Sequence, residues 1–248
     1  MGHTLQDVLC VRRALSTRIP YELVDIVLNL AQYWVYASTR RDTLLQVQAS
    51  NEPLFNAKWI YMLSDPIPPM FDANGHVVPT QIQSVHFSIN SCDQGWGGFP
   101  EYKNVYRNSY TWFEASIIRS SSSSSSSQPL WLFEALHKPV NLYTTSLTPA
   151  PSSRCSITEL HSPYKNRKKR WLVQMNVQAS RHVRRHDIMW YPHSPHELEY
   201  DEKTGSGRGF GFVDALRAGD RIALVARALY PGWENNVQSA GIEIAYQI

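Results

Sequence analysis

From about residue 65 onward the chain alternates apolar and polar residues, segment after segment, and the segments are separated by Gly, Pro and Asn. Val85, Phe87 and Ile89 alternate with Ser84, His86 and Ser88. Trp171, Val173, Met175, Val177 and Ala179 alternate with Leu172, Gln174, Asn176 and Gln178. Ala240, Ile242, Ile244 and Tyr246 alternate with Gly241, Glu243, Ala245 and Gln247. A period of two puts one set of side chains on each face of a strand. Residues 110–118, 130–136, 186–191 and 221–228 also read as strands by composition. Seven or more short strands joined by turns predict an antiparallel β-sandwich of jelly-roll type over residues 65–248.

Residues 1–64 read differently. Leu23, Ile26, Val27, Leu30, Ala31 and Trp34 follow the helical i, i+3, i+4, i+7 spacing, with Pro20 and Glu22 suited to a first helical turn. A shorter helix is expected around Leu5, Val8 and Leu9, and a third over residues 43–48. The expectation is a small helical module, residues 1–64, docked on the sandwich through the apolar stretch holding Leu54, Phe55, Trp59, Ile60 and Met62.

Composition excludes several classes. With 248 residues, 43% hydrophobic and 18% charged, the chain has enough apolar surface to fold. It has no apolar run of membrane-spanning length, so no membrane partner is expected. Asp7, Arg12 and Arg13 interrupt what a secretory leader would keep apolar. Cys10, Cys92 and Cys155 are odd in number and far apart, which fits a reducing cytoplasmic setting rather than a disulfide framework.

The run of eight serines at residues 120–127 and the Pro-, Ser- and Lys-rich residues 144–169 read as surface insertions, near 119–128 and 144–169. Between Lys165 and His186 the chain carries eight cationic side chains and no acid, against a whole-chain charge of +3, leaving −5 for the rest. That basic run is an anion-binding or nuclear-localisation feature, or a solvated loop; with no recognisable binding fold around it, nucleic acid is not the expected partner.

Two loops carry ligand-binding chemistry. Asp93, Gln94, Gly95 and Trp96 combine an acid, an amide, a permissive backbone and an indole. Trp233, Glu234 and Asn235 repeat the set near the other end of the chain. An indole stacks on a sugar ring or planar group while acids and amides fix hydroxyls. The bland alternative makes both indoles core residues. If the loops share an edge of the sandwich, Trp96 and Trp233 line one cleft. His182, His186, His193 and His196 lie close in sequence but match no metal motif, so no metal or other cofactor is expected. The glycines at 205, 207, 209 and 211 lack a phosphate-loop ending and read as a flexible connection.

Ile19-Pro20-Tyr21-Glu22-Leu23-Val24-Asp25-Ile26-Val27 resembles the opening of an F-box, which implies a Skp1-type adaptor as partner through residues 15–36. Residues 81–248 resemble a fungal family of uncharacterised proteins, through Ser91-Cys92-Asp93-Gln94-Gly95-Trp96-Gly97-Gly98, Tyr110-Thr111-Trp112-Phe113-Glu114-Ala115, and Ala218-Gly219-Asp220-Arg221 leading to Pro231-Gly232-Trp233. The layout is similar to that of galactose-binding-like jelly rolls. The resemblance implies a non-enzymatic recognition or adaptor protein that takes a polar small molecule, glycan or protein on sandwich loops. The alternative is a fungal pathway enzyme (isomerase, cyclase or lyase) using a sandwich cleft, with Asp93, Glu114 and His186 as acid–base residues.

Overall fold

The structure is a computed structural model that describes residues 2–71, 75–98, 101, 105–120, 130–143, 157–160, 170–194 and 200–248. The serine run beyond Ser120, the basic residues 165–169, Cys155 and His196 lie outside the described residues.

Helices α1 (Leu5–Ser16) and α2 (Tyr21–Leu30) lead into strands β1 (Val35–Arg41), β2 (Leu45–Gln48), β3 (Asn56–Leu63), β4 (Met70–Phe71), β5 (Val77–Val78), β6 (Gln81–Cys92) and β7 (Thr111–Ser120). After helix α3 (Leu130–His137) come β8 (Val140–Asn141), β9 (Ile157–Leu160), β10 (Trp171–Met175) and β11 (Arg184–Trp190), then the short α4 (Phe212–Ala215), β12 (Arg221–Leu229) and β13 (Glu234–Gln247). One sheet runs β1-β13-β6-β11, with β2 beside β1 on β13; the other runs β10-β7-β12-β3-β8, with β9 beside β10 on β7. Each of these pairings is antiparallel. Counting only the eight long strands in chain order, the sheets read 1-8-3-6 and 5-4-7-2. That is the connectivity of a jelly roll, and the sandwich is its two sheets face to face.

The alternation read from sequence sets the register. Val85, Phe87 and Ile89 of β6 stand opposite Ile244, Ile242 and Ala240 of β13, all buried between the sheets. Phe113, Ala115 and Ile117 of β7 face them from the second sheet. At one end Phe87, Trp171, Trp190 and Phe212 pack edge to face, with centroids 4.8–5.0 Å apart along the chain of contacts from Phe87 through Trp190 and Phe212 to Trp171.

Several expectations are corrected. Residues 130–136 form helix α3 rather than a strand. Trp131, Leu132 and Ala135 are buried while Leu130 and Phe133 are exposed, a helical pattern that covers the outer face of the second sheet over Ile60, Ile118 and Val225. The Arg41 guanidinium donates to the Ala135 and Leu136 carbonyls and so caps the end of α3. Residues 43–48 are not helical. Val47 points in, and Gln46 and Gln48 point out to Glu234, which is strand geometry. Helices therefore occupy only part of residues 1–64, and β1, β2 and β3 belong to the two sheets.

The helices that do form pack on the sandwich. Thr4 and Asp7 close a capping box at the start of α1, and Val8, Val24 and Leu28 join the inter-sheet core. The Arg12 side chain ties Asp25 of α2 and the carbonyl of Ile248 together. The apolar stripe that marked α2 in the sequence faces the other way: Leu23, Ile26, Val27 and Leu30 are exposed. Among the described residues no helix is long and apolar enough to cross a membrane.

The glycines of residues 205–211 are not a flexible connection. A Cβ on Gly207 would lie 1.7 Å from the Leu172 carbonyl oxygen. Trp190 Nε1 donates to the Gly207 carbonyl and Trp171 Nε1 to that of Phe210, each at 2.8 Å. The strap is pinned by two tryptophans, and glycine is required where it crosses β10.

Candidate functional site

The two Gly-Trp loops meet at one end of the sandwich. The Trp96 indole lies on Gly232, and Gln94 Oε1 accepts the Glu234 amide at 3.1 Å. Their tryptophans have different fates. Trp96 is 55% exposed, whereas Trp233 is 8% exposed and packs edge-on against Tyr110, with centroids 5.0 Å apart.

The polar members of the loops hold backbone together. Buried Asp93 accepts amides from Gly95, Ala179 and Ser180 at 2.5–2.8 Å. Burial pushes its carboxyl up to about 6, against those three donors, which favour the charged form. Gln94 Nε2 donates to the Trp96 carbonyl at 2.6 Å. The Asn235 amide donates to the Trp112 and Arg227 carbonyls and accepts from Asn176, so it stitches the two sheets together. Glu234 accepts from Gln46 and Gln48. Of the six ligand-binding candidates, only Trp96 presents its side chain broadly to solvent.

The three acid–base candidates sit in separate hydrogen-bond systems. Asp93 belongs to the loop just described. His186, on the inner face of β11 with Ile188 and Trp190, lies 3.2 Å from the Tyr106 hydroxyl through Nε2, and its buried Nδ1 has no hydrogen-bond partner among the described residues. Burial pushes its pKa down to about 4, with Arg184 adding to the effect. Glu114 is on the opposite, outer face of the second sheet, beside Trp112. Of the other histidines, His182 is exposed and His193 pairs with Asp214 at 3.1 Å. No group of three His, Cys, Asp or Glu side chains converges among the described residues.

Glu114 lies in a concavity that sequence reasoning missed. A cleft of about 470 Å³ opens on the outer face of the second sheet, next to the area covered by α3. Trp112 and Glu114 reach it from β7, because Phe113 and Ala115 between and beyond them point into the core. Arg227 and Leu229 reach it from β12, Lys58 from β3, and Leu172 and Met175 from β10; Tyr110, Arg170 and Tyr200 close its walls. The Arg227 guanidinium stacks on Trp112 at 5.0 Å from the ring centroid, donates to Ala57 and Asn56, and pairs with Glu114. Glu114 also accepts from Trp112 Nε1 at 2.9 Å, with Arg170 4.0 Å away. The signal was available: Arg227 is a lone charge in the otherwise apolar run Ile222–Leu229, and a buried arginine needs a built partner set.

Tyr110 joins this cleft to the loop end. Its ring lines the cleft and touches both Trp233 and Tyr230, the latter at 4.7 Å. No protein-family model, curated protein or solved structure matches the chain.

Proposed function

We propose that this is a non-enzymatic recognition protein whose sandwich takes a polar ligand with a flat or apolar face in the cleft of the second sheet. One observation carries the reading. The cleft is floored by Trp112, Arg227 and Glu114, which are locked to one another: Glu114, the one carboxylate among the described residues that line it, is occupied by an indole N–H and a guanidinium. A carboxylate held that way orients a surface but is poorly placed to take a proton or attack a substrate. The separation of Asp93, Glu114 and His186 into three systems favours recognition over a pathway enzyme. The aromatic planes of Tyr110, Trp112 and Tyr200 supply stacking area, and a volume of this size suits a mono- or disaccharide or a short peptide segment.

The exposed stripe of α2 supports the adaptor half of the reading. Leu23, Ile26, Val27 and Leu30 form the kind of apolar helix face that a protein partner covers, and a Skp1-type adaptor is the partner the F-box resemblance names.

Ligand-observed NMR against a panel of mono- and disaccharides and short peptides tests the cleft. The blocking variant is Leu172→Trp, which fills the cleft from β10, opposite Glu114, and leaves Trp112, Arg227 and Glu114 themselves unchanged. Binding by wild type that Leu172→Trp abolishes supports recognition here. Binding that survives the variant places the site elsewhere.

A further inference from the structure

The charged groups of the cleft are engaged with the protein itself. Arg227 is held by Glu114, Asn56 and the Ala57 carbonyl and lies on the Trp112 ring. Lys58 sits over the Tyr143 ring at 5.3 Å, and Arg170 stands 4.0 Å from Glu114. The Trp112 indole N–H is given to Glu114. What the described lining leaves for a ligand is apolar and flat. It consists of Leu172, Met175 and Leu229, the rings of Tyr110, Trp112 and Tyr200, and the two tyrosine hydroxyls, which make no hydrogen bond among the described residues.

That inventory discriminates between ligands. Each hydroxyl of a sugar both donates and accepts, so a sugar calls for carboxylates and side-chain amides around it. Among the described lining residues there is no amide, and the one carboxylate is occupied. A charged peptide finds no unpaired counter-charge among them either. A polyproline II segment presents flat apolar rings and outward carbonyls and has no N–H at its prolines, so it needs only aromatic faces and a few donors. Its conformation exists before binding, and docking therefore costs little chain entropy.

The same chemistry continues beyond the cleft. The Tyr110 ring packs edge-on against that of Tyr230, with centroids 4.7 Å apart. Tyr230 and Phe55 are exposed, and Leu54 is 90% exposed. These three have φ of 73°, 49° and 55°, a left-handed conformation that large side chains adopt at a cost. The Tyr230 amide donates to the Phe55 carbonyl at 2.8 Å and ties the two loops together. Leu229 pairs with Asn56, so two of the strands that floor the cleft lead straight into this apolar tip.

Resting on the recognition reading above, we infer that the ligand is an uncharged, proline-rich peptide segment in the polyproline II conformation. Its proline rings lie on Tyr110, Trp112 and Tyr200, its carbonyls accept from the tyrosine hydroxyls, and an apolar residue beside them seats on Tyr230 and Leu54. From β10 to β3 the cleft crosses three inter-strand spacings, about 14 Å. Polyproline II advances about 3.1 Å per residue, so about five residues span the cleft and a longer segment continues to the tip.

The test is fluorescence anisotropy on the full chain with a labelled peptide of three Pro-Pro-Leu repeats. The controls replace every Pro by Ser, every Leu by Asn, or every Leu by Glu. The Pro-Pro-Leu peptide should bind at least about tenfold more tightly than each control, and added salt should leave its binding unchanged. Leu172→Trp should abolish binding, and Tyr200→Ala should weaken it about tenfold. Leu54→Asn and Tyr230→Asn should each weaken it severalfold with the fold intact, since asparagine accepts a left-handed backbone. Circular dichroism and urea unfolding check that each variant is folded. Equal binding of the serine peptide, or tighter and salt-sensitive binding of the glutamate peptide, in each case blocked by Leu172→Trp, would overturn the proline-rich ligand and keep the recognition reading. So would a sugar blocked by Leu172→Trp with no peptide bound. Proline-peptide binding indifferent to Leu54→Asn and Tyr230→Asn would overturn the tip and leave the cleft in place. No ligand sensitive to Leu172→Trp or Tyr200→Ala would overturn both readings.

Discussion

The Trp96 indole lies so closely on Gly232 that a Cβ there would stand 2.7 Å from its Cη2. Gly232 also has φ of +82°, so the position rejects a side chain twice, by conformation and by contact. The two Gly-Trp loops are fitted to each other at this glycine as well as through the Gln94–Glu234 hydrogen bond, and Gly232 gives the surface indole of Trp96 its floor.

Gly232→Ala should therefore destabilise the fold by about 2 kcal/mol, the scale of a left-handed non-glycine residue plus a close contact. Urea unfolding measures the cost. Tryptophan emission of the folded variant should also shift, because Trp96 must leave Gly232. An unchanged midpoint and spectrum would mean that the loops are not fitted together in solution.

Asn235→Ala should cost more, about 3 kcal/mol. The side chain is fully buried, and its loss strands the Trp112 and Arg227 carbonyls and one amide hydrogen of Asn176. Asn235→Asp tests whether the amide itself matters: it removes the donor, adds a buried charge and should be at least as harmful. Chemical denaturation of the three proteins decides, and a loss below about 1 kcal/mol for Asn235→Ala would show that water replaces the network.

How much of this was legible in the sequence depends on what each residue had to report. Val85, Phe87 and Ile89 declared their strand because one face meets a core and the other meets water. Residues 130–136 misled because α3 lies over a sheet and is apolar on most sides, so neither period dominates; Trp131, Leu132 and Ala135 become a face only once Ile60 and Val225 are known to lie beneath them. The stripe on α2 was read correctly as helical, but nothing in its spacing told that Val24 and Leu28, not the stripe, anchor the helix. Asp93 and Asn235 looked like ligand groups because the residue types that bind ligands are also those that tie loops. The cleft escaped because it is built across four strands, and pairings such as Arg227 with Trp112 and Val225 with Glu114 are long-range facts.

Leu54→Gly should stabilise the protein by about 1 kcal/mol. The native φ of 55° is strained for leucine and comfortable for glycine, and the nearly exposed side chain loses little packing. Thermal unfolding reads the change. Destabilisation of more than about 1 kcal/mol would mean that Leu54 is packed in solution.

A chain starting at residue 65 should fail to fold. It lacks β1 and β2, which pair with β13 in one sheet, and β3, which pairs with β12 in the other. It also loses Val35, Val47, Tyr61 and Met62 from the core. Circular dichroism and a urea titration of the truncated chain check this, and a cooperative transition close to that of the full chain would count against the helices and first strands being part of the sandwich.

Acid should destabilise the fold through His186. Its folded pKa of about 4 lies below the 6.5 of an unperturbed histidine, because burial disfavours the imidazolium and Arg184 repels it while Asp187 offsets only part of this. Between those two values the unfolded chain binds the proton and the folded chain does not. The stabilisation is thus complete above pH 6.5 and is lost as pH falls towards 4, a change on the order of 3 kcal/mol. Asp93 works in the opposite sense nearby: its carboxyl is raised from 3.8 to about 6, so its contribution is present at low pH and lost as pH rises through that window. The two trends overlap, and wild type alone would show only their sum. His186→Gln isolates one of them, since a glutamine keeps a partner for Tyr106 and does not titrate. Urea unfolding of both proteins at pH 7.5, 5.5 and 4.5 should show wild type losing about 2 kcal/mol more than His186→Gln over that range. Parallel losses would mean that His186 meets solvent or a carboxylate in the folded state, and that the inner face of β11 is open where it is closed here.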